Sequence, residues 1–493
     1  MKYSLSKSRY CSGLQCPKML WLKKNVPDAF DASCMNESVL EAGLAVGDLA
    51  MGLLGAFVEV PFGDLGDMLA TTQKLMDEET PVIAEASFAV DGLFCSVDML
   101  QRLGKNDVAL YEVKSSSSVH DIYYHDASFQ YYVLNKLGYN VVSCNIVHIN
   151  NKYVRQGDLD IHELFVIADV TEEVKALQTN VSNNIARIRT YIEQADEPTD
   201  DIGEHCFSPY DCGFFGYCTR NLPKPNIFDV AGAYEKTKFE CYRKGLVSFP
   251  DLNTCDALSP KQYLQIEHEL YPCPAHIDLK NIRAFMGKLT YPLYFLDFES
   301  FMPAIPLYDN SRPSQQIVFQ YSLHYIEYEG GPLEHTEFLA YPGKDPRRAL
   351  AEQLCADIPL DVCTLAYNMG FEKGRIKELA NLFPDLHDHL MNIHDHIIDL
   401  MVPFQKKWYY CRDMQGSYSI KYVLPALFPN DPELDYHNLE GVHNGSEASA
   451  AFAQMANMTP EEVESTRAHL LKYCGLDTYA MVKIWEKLKE ICK

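Results

Sequence analysis

An apolar and aromatic stretch, YPLYFLDFES at residues 291–300, contains two acids near its end, Asp297 and Glu299. In a β-strand, side chains two residues apart lie on the same face, so both carboxylates would project together. Two adjacent carboxylates repel each other unless a positive charge lies between them. We therefore predict a buried strand whose two acids bind a divalent metal ion.

Further along the chain, three residues have the types and spacing that such a site needs. Glu372 follows the predicted strand TLAYN at the start of a predicted helix, and Tyr473 and Asp477 are four residues apart near the C-terminus. Residues four apart share one face of a helix. The order of Asp-X-Glu on a strand, an acid at the start of a later helix and Tyr-X3-Asp on a final helix resembles the DEDD 3′–5′ exonucleases of ribonuclease H-like fold, in the version that has tyrosine.

This resemblance implies a site with two metal ions about 3.5–4 Å apart, one activating water and the other stabilising the leaving oxygen. It also implies that Tyr473 orients the attacking water and that Asn368 binds substrate. The family usually has aspartate at the position of Glu372, and an extra methylene can displace the second ion enough to weaken catalysis. The metal ligands that the resemblance implies are Asp297, Glu299, Glu372 and Asp477.

Two more residues recur near such sites by the same resemblance. They are Asp399 in HIIDLMVPF and Lys421 in YSIKYVLP. Both also fit a neutral interpretation, as a strand-end acid and a surface lysine, and the sequence leaves the two interpretations open.

A second constellation lies in the first half of the chain. SVDML places Asp98 at the end of a predicted hairpin, and LYEVKSS places Glu112 and Lys114 on one face of the next predicted strand. Two carboxylates and a backbone carbonyl, such as that of Val113, suit a divalent ion, while the lysine positions or activates water. Alone, a Glu-X-Lys motif also fits a solvated strand face.

The ordered set resembles the PD-(D/E)XK nucleases, in the RecB-like branch that includes the CRISPR-associated adaptation nucleases. Gln130 and Tyr131 in FQYYVL match the helix position where that branch has a glutamine and an aromatic residue facing DNA, which implies substrate binding. Many members carry a metal-binding histidine on an N-terminal helix. Residues 39–54 contain no histidine, and Glu41 and Glu85 are the candidates to replace it.

Cysteines form a third constellation. HCFSPYDCGFFGYC, residues 205–218, contains three cysteines with five residues between neighbours, among aromatic and turn-forming residues. A four-ligand site needs one more thiolate, and Cys16 in LQCPKML is the natural fourth, with Cys11 near enough to compete. We expect His205 to be a bystander.

The cysteine pattern resembles the iron–sulfur staple of the RecB-like branch, which joins an N-terminal cysteine before a proline to a C-terminal cysteine triplet. Four thiolates suit a [4Fe–4S] cluster, and on chemistry alone they also suit zinc. Such a centre would tie the first and last segments of one domain together. The ligands implied are Cys16, Cys206, Cys212 and Cys218.

The elements that position these residues alternate between strands and helices, so we predict an α/β fold with two mixed-sheet domains joined by a helical segment. Two prolines in NLPKPNIFDV predict a break near residue 222. We expect a PD-(D/E)XK nuclease-like domain over 1–222 and a ribonuclease H-like domain over 289–493. The connector, 223–288, fits a helix-hairpin-helix-like element with Gly245 in the turn, and fits a plain helical linker equally well.

Composition narrows the class of protein. A chain of 493 residues is expected to form two or three domains. The net charge of −25 argues against a broadly cationic nucleic-acid coat or a membrane-surface protein, but it allows a local basic groove. We find no signal-peptide pattern and no apolar run of roughly 18 residues, which predicts a soluble, cytoplasmic protein. Its 16 cysteines should then be buried thiols or metal ligands, without disulfides.

Over nearly its whole length, the chain resembles a bacterial family that fuses a RecB-like domain with a cysteine cluster to a ribonuclease H-like exonuclease. We predict a nuclease that uses Mg²⁺ or Mn²⁺ on nucleic acid, DNA before RNA, in repair or defence, with a helicase or other DNA-processing partner. One alternative is a catalytically degenerate nucleic-acid-binding or scaffold protein. Another is a thiolate–zinc enzyme unrelated to nucleic acid.

Overall fold

The computed structural model describes residues 5–34 and 37–493. The chain divides into two compact units, Met1–Asn221 with Pro303–Gln315, and Leu222–Met302 with Gln316–Lys493. The chain therefore passes between the units three times. Both units combine helices with mixed sheets, so the predicted α/β class with two mixed-sheet parts is confirmed.

The first unit is built on a seven-stranded sheet. Its strands are β1 (Leu5–Ser6), β2 (Val58–Glu59), β3 (Val82–Val90), β4 (Leu93–Arg102), β5 (Asp107–Lys114), β6 (Asn140–Ile149) and β7 (Phe165–Asp169). They follow the order β2-β3-β4-β5-β6-β7, with β1 paired to β4. The predicted hairpin is β3–β4, whose turn residues Asp91 and Gly92 have φ of +50° and +73°. An Asp-Gly pair suits such a turn because both central residues need positive φ.

Helices cover this sheet and form its core. They are α1 (Lys7–Gln15), α2 (Pro17–Asn25), α3 (Glu37–Ala50), α4 (Leu65–Asp77), α5 (Asp121–Lys136), α6 (Ile161–Leu164), α7 (Thr171–Ala176), α8 (Gln178–Ile192) and α9 (Phe215–Cys218). Tyr10 of α1 stacks on Phe129 of α5 with ring centroids 4.9 Å apart, and both side chains are fully buried. This contact holds the N-terminal helix against the helix that follows β5.

Residues 303–315 belong to the first unit although they come late in the chain. The backbone amide of Arg155 donates to the carbonyl of Ser311 at 3.0 Å. The Arg155 guanidinium donates to the carbonyls of Pro306 and Leu307, each at 3.1 Å. The segment is therefore held by backbone hydrogen bonds and by one arginine side chain.

The second unit is built on a five-stranded sheet. Its strands are β9 (Leu293–Phe301), β10 (Ile317–Ile326), β11 (Glu334–Leu339), β12 (Cys363–Ala366) and β13 (Ile397–Asp399), and a separate pair is formed by β8 (His276–Ile277) and β14 (Tyr409–Tyr410). The order is β11-β10-β9-β12-β13, with β10 antiparallel to both β9 and β11, and with β12 parallel to both β9 and β13. Loops that leave the carboxyl ends of neighbouring parallel strands meet at one edge of a sheet, where α/β proteins bind ligands.

The helices of the second unit cover both faces of this sheet. They are α10 (Glu235–Arg243), α11 (Pro260–Leu270), α12 (Leu279–Met286), α13 (Arg347–Asp357), α14 (Gly370–Leu382), α15 (His387–Asp395), α16 (Val402–Gln405), α17 (Ile420–Leu427), α18 (Gly445–Gln454) and α19 (Pro460–Cys492). On one face of β9, Leu296 and Phe298 share a core with α13, α14 and α15. On the other face, Phe295 contacts Trp485 of α19, with ring centroids 5.9 Å apart. Within the described ranges, no helix is long and apolar enough to cross a membrane.

Candidate metal centre

The two acids of the opening stretch lie together on β9, as predicted from their spacing. They occupy the face that α19 covers, and the ligand atoms of Asp297, Glu299 and Cys474 all lie within 4.8 Å of one another. Glu299 is buried and Asp297 is partly exposed. Burial raises the pKa values of Asp297 and Glu299 well above their usual range, and repulsion from the charges of Asp477 and Glu372 adds to the effect.

Glu372 lies in the first turn of α14, directly after β12, so the predicted strand–helix placement is confirmed. The side chain is only 2% exposed, and Oε2 makes no hydrogen bond with the part of the chain that the structure describes. Burial raises the pKa of Glu372 to about 8, and the charge of Asp399 acts in the same direction. A buried carboxylate oxygen without a partner is costly, which indicates that a positive ligand belongs there.

Asp477 and Tyr473 share one face of α19, again as predicted from their spacing. The hydroxyl of Tyr436, in a short turn at Tyr436–Asn438, donates to Asp477 Oδ1 at 2.6 Å. Burial raises the pKa of Asp477 to about 6, although the hydroxyls of Tyr436 and Tyr473 favour the ionised form. Tyr436 therefore orients Asp477, a contact that the sequence analysis did not identify.

Among the described residues, these four acids have no ion-pair partner that would neutralise them. Within residues 5–34 and 37–493, none of Asp297, Glu299, Glu372 and Asp477 forms an ion pair with a lysine or arginine, and the positive group acting on Asp477 is Lys421, without direct contact. The charges of Glu372 and Asp477 act on both Asp297 and Glu299, and carboxylate oxygens are the donors that hard divalent cations such as Mg²⁺ and Mn²⁺ prefer. The residues present therefore fit the metal ions that the resemblance implies.

Asp399 and Asn368 contribute to the shape of this edge. Oδ1 of Asp399 accepts hydrogen bonds from the amides of Asn368 at 3.0 Å and Met401 at 2.9 Å. Asn368 has a φ of +69°, a conformation that asparagine tolerates better than most residues. Asp399 thus fixes the loop between β12 and α14, and Glu372 lies in the first turn of the helix that follows this loop. Substrate binding by Asn368 stays a prediction.

A cavity in the second unit is lined by Tyr436, the residue whose hydroxyl donates to Asp477. Its volume is about 610 Å³, within the range of small-molecule sites. Its lining includes Lys421, Phe428, Tyr436, His437 and Asn444. Lys421 is exposed, and its charge acts on Asp477, so its role at the site stays a prediction.

In the first unit, Asp98, Glu112 and Lys114 are brought together as predicted, but a second lysine joins them. Lys114 Nζ lies 2.7 Å from Glu112 Oε1. Lys7 Nζ, at the start of α1, lies 2.8 Å and 3.0 Å from the two oxygens of Glu112 and 3.5 Å from Asp98 Oδ1. Asp98 Oδ2 also accepts the amide of Val113 at 2.7 Å. The sequence gives no local sign of Lys7, which is 105 residues from Glu112.

The charges of this cluster are largely matched inside the protein. Asp126 pairs with Lys114 at 2.7 Å, so three acids meet two ammonium groups. Lys114 and Lys7 outweigh burial and hold the pKa of Glu112 below its usual range, while burial and the charge of Glu112 raise the pKa of Asp98 to about 7. A divalent ion would have to displace Lys7 from both of its carboxylate partners. This set fits a lysine-neutralised cluster better than a metal centre.

The remaining candidates of the first unit lie at different distances from this cluster. Gln130 is fully buried and its amide donates to Glu112 Oε2 at 2.6 Å, so it orients the acid. Tyr131 is partly buried and packs against the core, and substrate binding by either residue stays a prediction. Glu85 lies close enough for the charges of Lys7 and Glu112 to act on its pKa, which burial raises, whereas Glu41 is exposed.

The four predicted cysteine ligands line one small cavity between the start and the end of the first unit, whereas Cys11 lies beside Lys114 and Asp126. Burial raises the pKa of each thiol; neighbouring cysteines raise it further for Cys206, Cys212 and Cys218, and the charge of Asp200 does so for Cys16. The amides of Met19 and Lys18 bond to the sulfur of Cys16 and favour its thiolate. Four cysteines around one small cavity are the ligand set of a [4Fe–4S] cluster, and on ligand chemistry alone they also suit zinc. The four residues are Cys16, Cys206, Cys212 and Cys218.

Hydrogen bonds connect the segment that carries Cys16 to the segment that carries the other three cysteines. Gln15, which precedes Cys16, donates through its side-chain amide to the carbonyls of His205 and Tyr210, at 2.9 Å and 2.6 Å. His205 lines the same cavity. Among the described residues, its side chain forms no hydrogen bond with the four cysteines. The contact supports Cys16 over Cys11 as the fourth ligand.

Comparison with known proteins gives distant relatives. The chain is 27% identical over 229 residues to "Uncharacterized protein UU173" of Ureaplasma parvum, covering 42% of this chain and 32% of that protein. It is 25% identical over 225 residues to "Uncharacterized protein MG366" of Mycoplasma genitalium, covering 42% and 33%. The chain thus spans about a third of the length of these curated relatives. No solved structure matches the chain. Residues 294–419, which carry Asp297, Glu299 and Glu372, match the family described as "Domain of unknown function (DUF2779)".

Proposed function

We propose that the protein is a metal-dependent nuclease that hydrolyses phosphodiester bonds of DNA, with a 3′–5′ exonuclease-type site in the second unit. One observation carries the proposal. The ligand atoms of Asp297 and Glu299 on β9 lie within 4.8 Å of each other, and the charges of Glu372 on α14 and Asp477 on α19 act on both. Among the described residues, none of the four acids pairs with a lysine or arginine, and Glu372 Oε2 has no hydrogen-bond partner. The order of these residues and their local structure agree with the resemblance to the DEDD exonucleases of ribonuclease H-like fold.

When bound, divalent ions in such a site supply an activated water and stabilise the leaving oxygen. The residues of the chain have separate tasks. Asp297, Glu299, Glu372 and Asp477 would hold the ions, and Tyr436 fixes one oxygen of Asp477 by its hydrogen bond. Tyr473, one turn before Asp477, has its hydroxyl near that carboxylate, and we assign it to orienting the attacking water.

The cavity lined by Tyr436 and Lys421 supports a nucleotide substrate. Its volume of about 610 Å³ can hold a sugar and a base, and it offers apolar, amide and imidazole groups. Lys421 supplies a positive charge for a phosphate, which is needed locally because the whole chain carries a net charge of −25.

The test is cleavage of end-labelled single-stranded DNA, duplex DNA and RNA with Mn²⁺, using anaerobically purified protein. We expect shortening from the 3′ end in the wild type, and about 100-fold or greater loss in Asp297→Asn, because metal ligation supplies several kcal/mol of transition-state stabilisation. Asp385→Asn is the matched control, since Asp385 is an exposed acid of the same unit that pairs with Arg348. No cleavage of any substrate by the wild type would overturn the proposal.

We propose that the first unit carries an iron–sulfur cluster, with zinc as the alternative, held by the four cysteines of its cavity. Its role is to join the first helices to the C-terminal end of the unit, since Cys16 precedes α2 and the other three lie in residues 206–218. Iron and sulfide content with visible absorption would support the cluster, and one zinc per chain would support the alternative.

A second candidate function follows from Lys7. Because its ammonium group already lies between Asp98 and Glu112, the first unit can be a catalytically degenerate nucleic-acid-binding or scaffold part. PD-(D/E)XK-type cleavage by this unit then depends on displacement of Lys7. Lys114→Ala tests it: cleavage that survives Asp297→Asn and disappears in the double variant would belong to the first unit. Salt-dependent DNA binding without any cleavage would favour the degenerate protein and a helicase-type partner that acts on the strand.

A further inference from the structure

Cys474 lies inside the acidic cluster, where the exonuclease pattern calls for no cysteine. It is fully buried, one residue after Tyr473 and three before Asp477 on α19. Its Sγ is 3.8 Å from the backbone carbonyl of Asp297 and 4.0 Å from Asp297 Oδ2. Buried cysteines in apolar surroundings act as small hydrophobic residues, whereas this thiol faces carboxylates.

The donor set of Asp297, Glu299 and Cys474 differs from an all-oxygen site. Their ligand atoms lie within 4.8 Å of one another, close enough to contact one ion. Magnesium and manganese favour oxygen donors, while zinc and cadmium bind thiolate with carboxylate readily. A second observation also points to a cation here: Glu372 Oε2 is buried and has no hydrogen-bond partner among the residues that the structure describes, and the charge of Glu372 acts on both Asp297 and Glu299.

We propose that Cys474, with Asp297 and Glu299, forms a mixed thiolate–carboxylate site that selects thiophilic divalent cations, Zn²⁺ or Cd²⁺, over Mg²⁺. On binding, the Cys474 thiol releases its proton to solvent and the thiolate bonds to the ion. The ion then occupies the ligands that the catalytic ions require. Zinc is therefore a competitive inhibitor of the nuclease, a consequence that rests on the proposed function.

Cadmium-113 NMR of the full chain tests the site directly, because an ion with one thiolate ligand resonates apart from one held by four. We expect such a one-thiolate signal in the wild type and its loss in both Cys474→Ser and Asp297→Asn. Cys492→Ser is the matched control, since Cys492 is a half-buried cysteine on the same helix, and it should keep the signal. In titrations, Cys474→Ser should weaken Cd²⁺ binding at least ten-fold more than it weakens Mn²⁺ binding.

The outcomes separate the two proposals. A one-thiolate signal that persists in Cys474→Ser, or Cd²⁺ and Mn²⁺ affinities that fall together, overturns the role of Cys474. Asp297→Asn keeps the test valid if Cys474→Ser fails to fold, because loss of the signal must then occur with the thiol intact. DNA cleavage without the signal overturns only this inference, and the signal without cleavage of any nucleic acid overturns only the nuclease.

Discussion

Replacing Tyr436 by phenylalanine should weaken metal binding in a way that depends on pH. The substitution removes one hydroxyl, which donates to Asp477 Oδ1 at 2.6 Å, and leaves the ring that packs near Tyr473. The hydroxyl favours the ionised carboxylate, so its removal raises the pKa of Asp477. A protonated Asp477 is a poor ligand, and protons and metal ions then compete for it.

The size of the effect follows from this contact. A hydrogen bond to a charged group contributes about 1.5–3 kcal/mol, and the lower end applies because Asp477 is partly exposed. Since 1.36 kcal/mol corresponds to one pH unit, the pKa of Asp477 should rise by about one from its value of about 6. At pH 6 the ionised fraction then falls from about one half to about one tenth, whereas at pH 8 it stays above about nine tenths. Apparent Mn²⁺ affinity should fall about five-fold at pH 6 and hardly at all at pH 8.

Calorimetric titration with Mn²⁺ at pH 6 and pH 8, together with cleavage at limiting Mn²⁺, measures both quantities. Tyr321→Phe is the matched control, because the Tyr321 hydroxyl donates to Asp357 Oδ2 at the same 2.6 Å, and Asp357 lies outside the acidic cluster. Equal loss of affinity at both pH values would refute the reasoning. A pH-dependent loss in Tyr321→Phe of the same size would refute it as well.

Three further predictions concern the charges and thiols of both units. In metal-free protein, burial raises the pKa of Glu372 from its usual 4.5 to about 8, so between these pH values the folded chain holds a proton that the unfolded chain has lost. The free energy of unfolding should therefore fall as pH rises from 4.5 to 8. Glu372→Gln, or added Mn²⁺, should reduce this pH dependence in thermal denaturation, and an unchanged dependence would contradict the prediction. Lys7→Met, added to Asp297→Asn, should tighten Mn²⁺ binding at least about ten-fold relative to Asp297→Asn alone, because it frees the carboxylates of Asp98 and Glu112 from an ammonium group. No gain in affinity by calorimetry would contradict this prediction. Cys206→Ala should abolish stoichiometric iron or zinc and lower the melting temperature, while Cys11→Ala should keep the metal, and equal metal loss in both would exclude Cys206 as a specific ligand.

The elements that could be predicted are those fixed by short-range pattern. The Asp-Gly pair at 91–92 suits a tight turn, and β4 alternates between buried and partly buried residues over most of its length, so the β3–β4 hairpin followed from local sequence. The spacing of Asp297 and Glu299, and that of Tyr473 and Asp477, placed each pair on one face of its element. These pairs needed only the period of a strand or a helix.

The contacts that could not be predicted depend on tertiary packing. Lys7 meets Glu112 across 105 residues, and Tyr436 meets Asp477 across 41, so no period in the sequence relates them. Cys474 was within reach of prediction, since three residues from Asp477 on a helix means a shared face. A cysteine on the buried face of a helix nevertheless resembles an ordinary core thiol until the strand opposite is known.

The path of the chain limits how this protein can be taken apart. Thirteen residues, 303–315, leave the strand that carries Asp297 and Glu299, take part in the first unit through hydrogen bonds with Arg155, and return to the second. A gene fragment that ends at residue 221 therefore lacks a piece of the first unit, and one that begins at 222 carries that piece without its partners. The two parts cannot be exchanged as cassettes by a single crossover, and insertions or deletions in 303–315 act on the first unit and on the acidic strand together. We expect the units to be inherited, expressed and mutated as one.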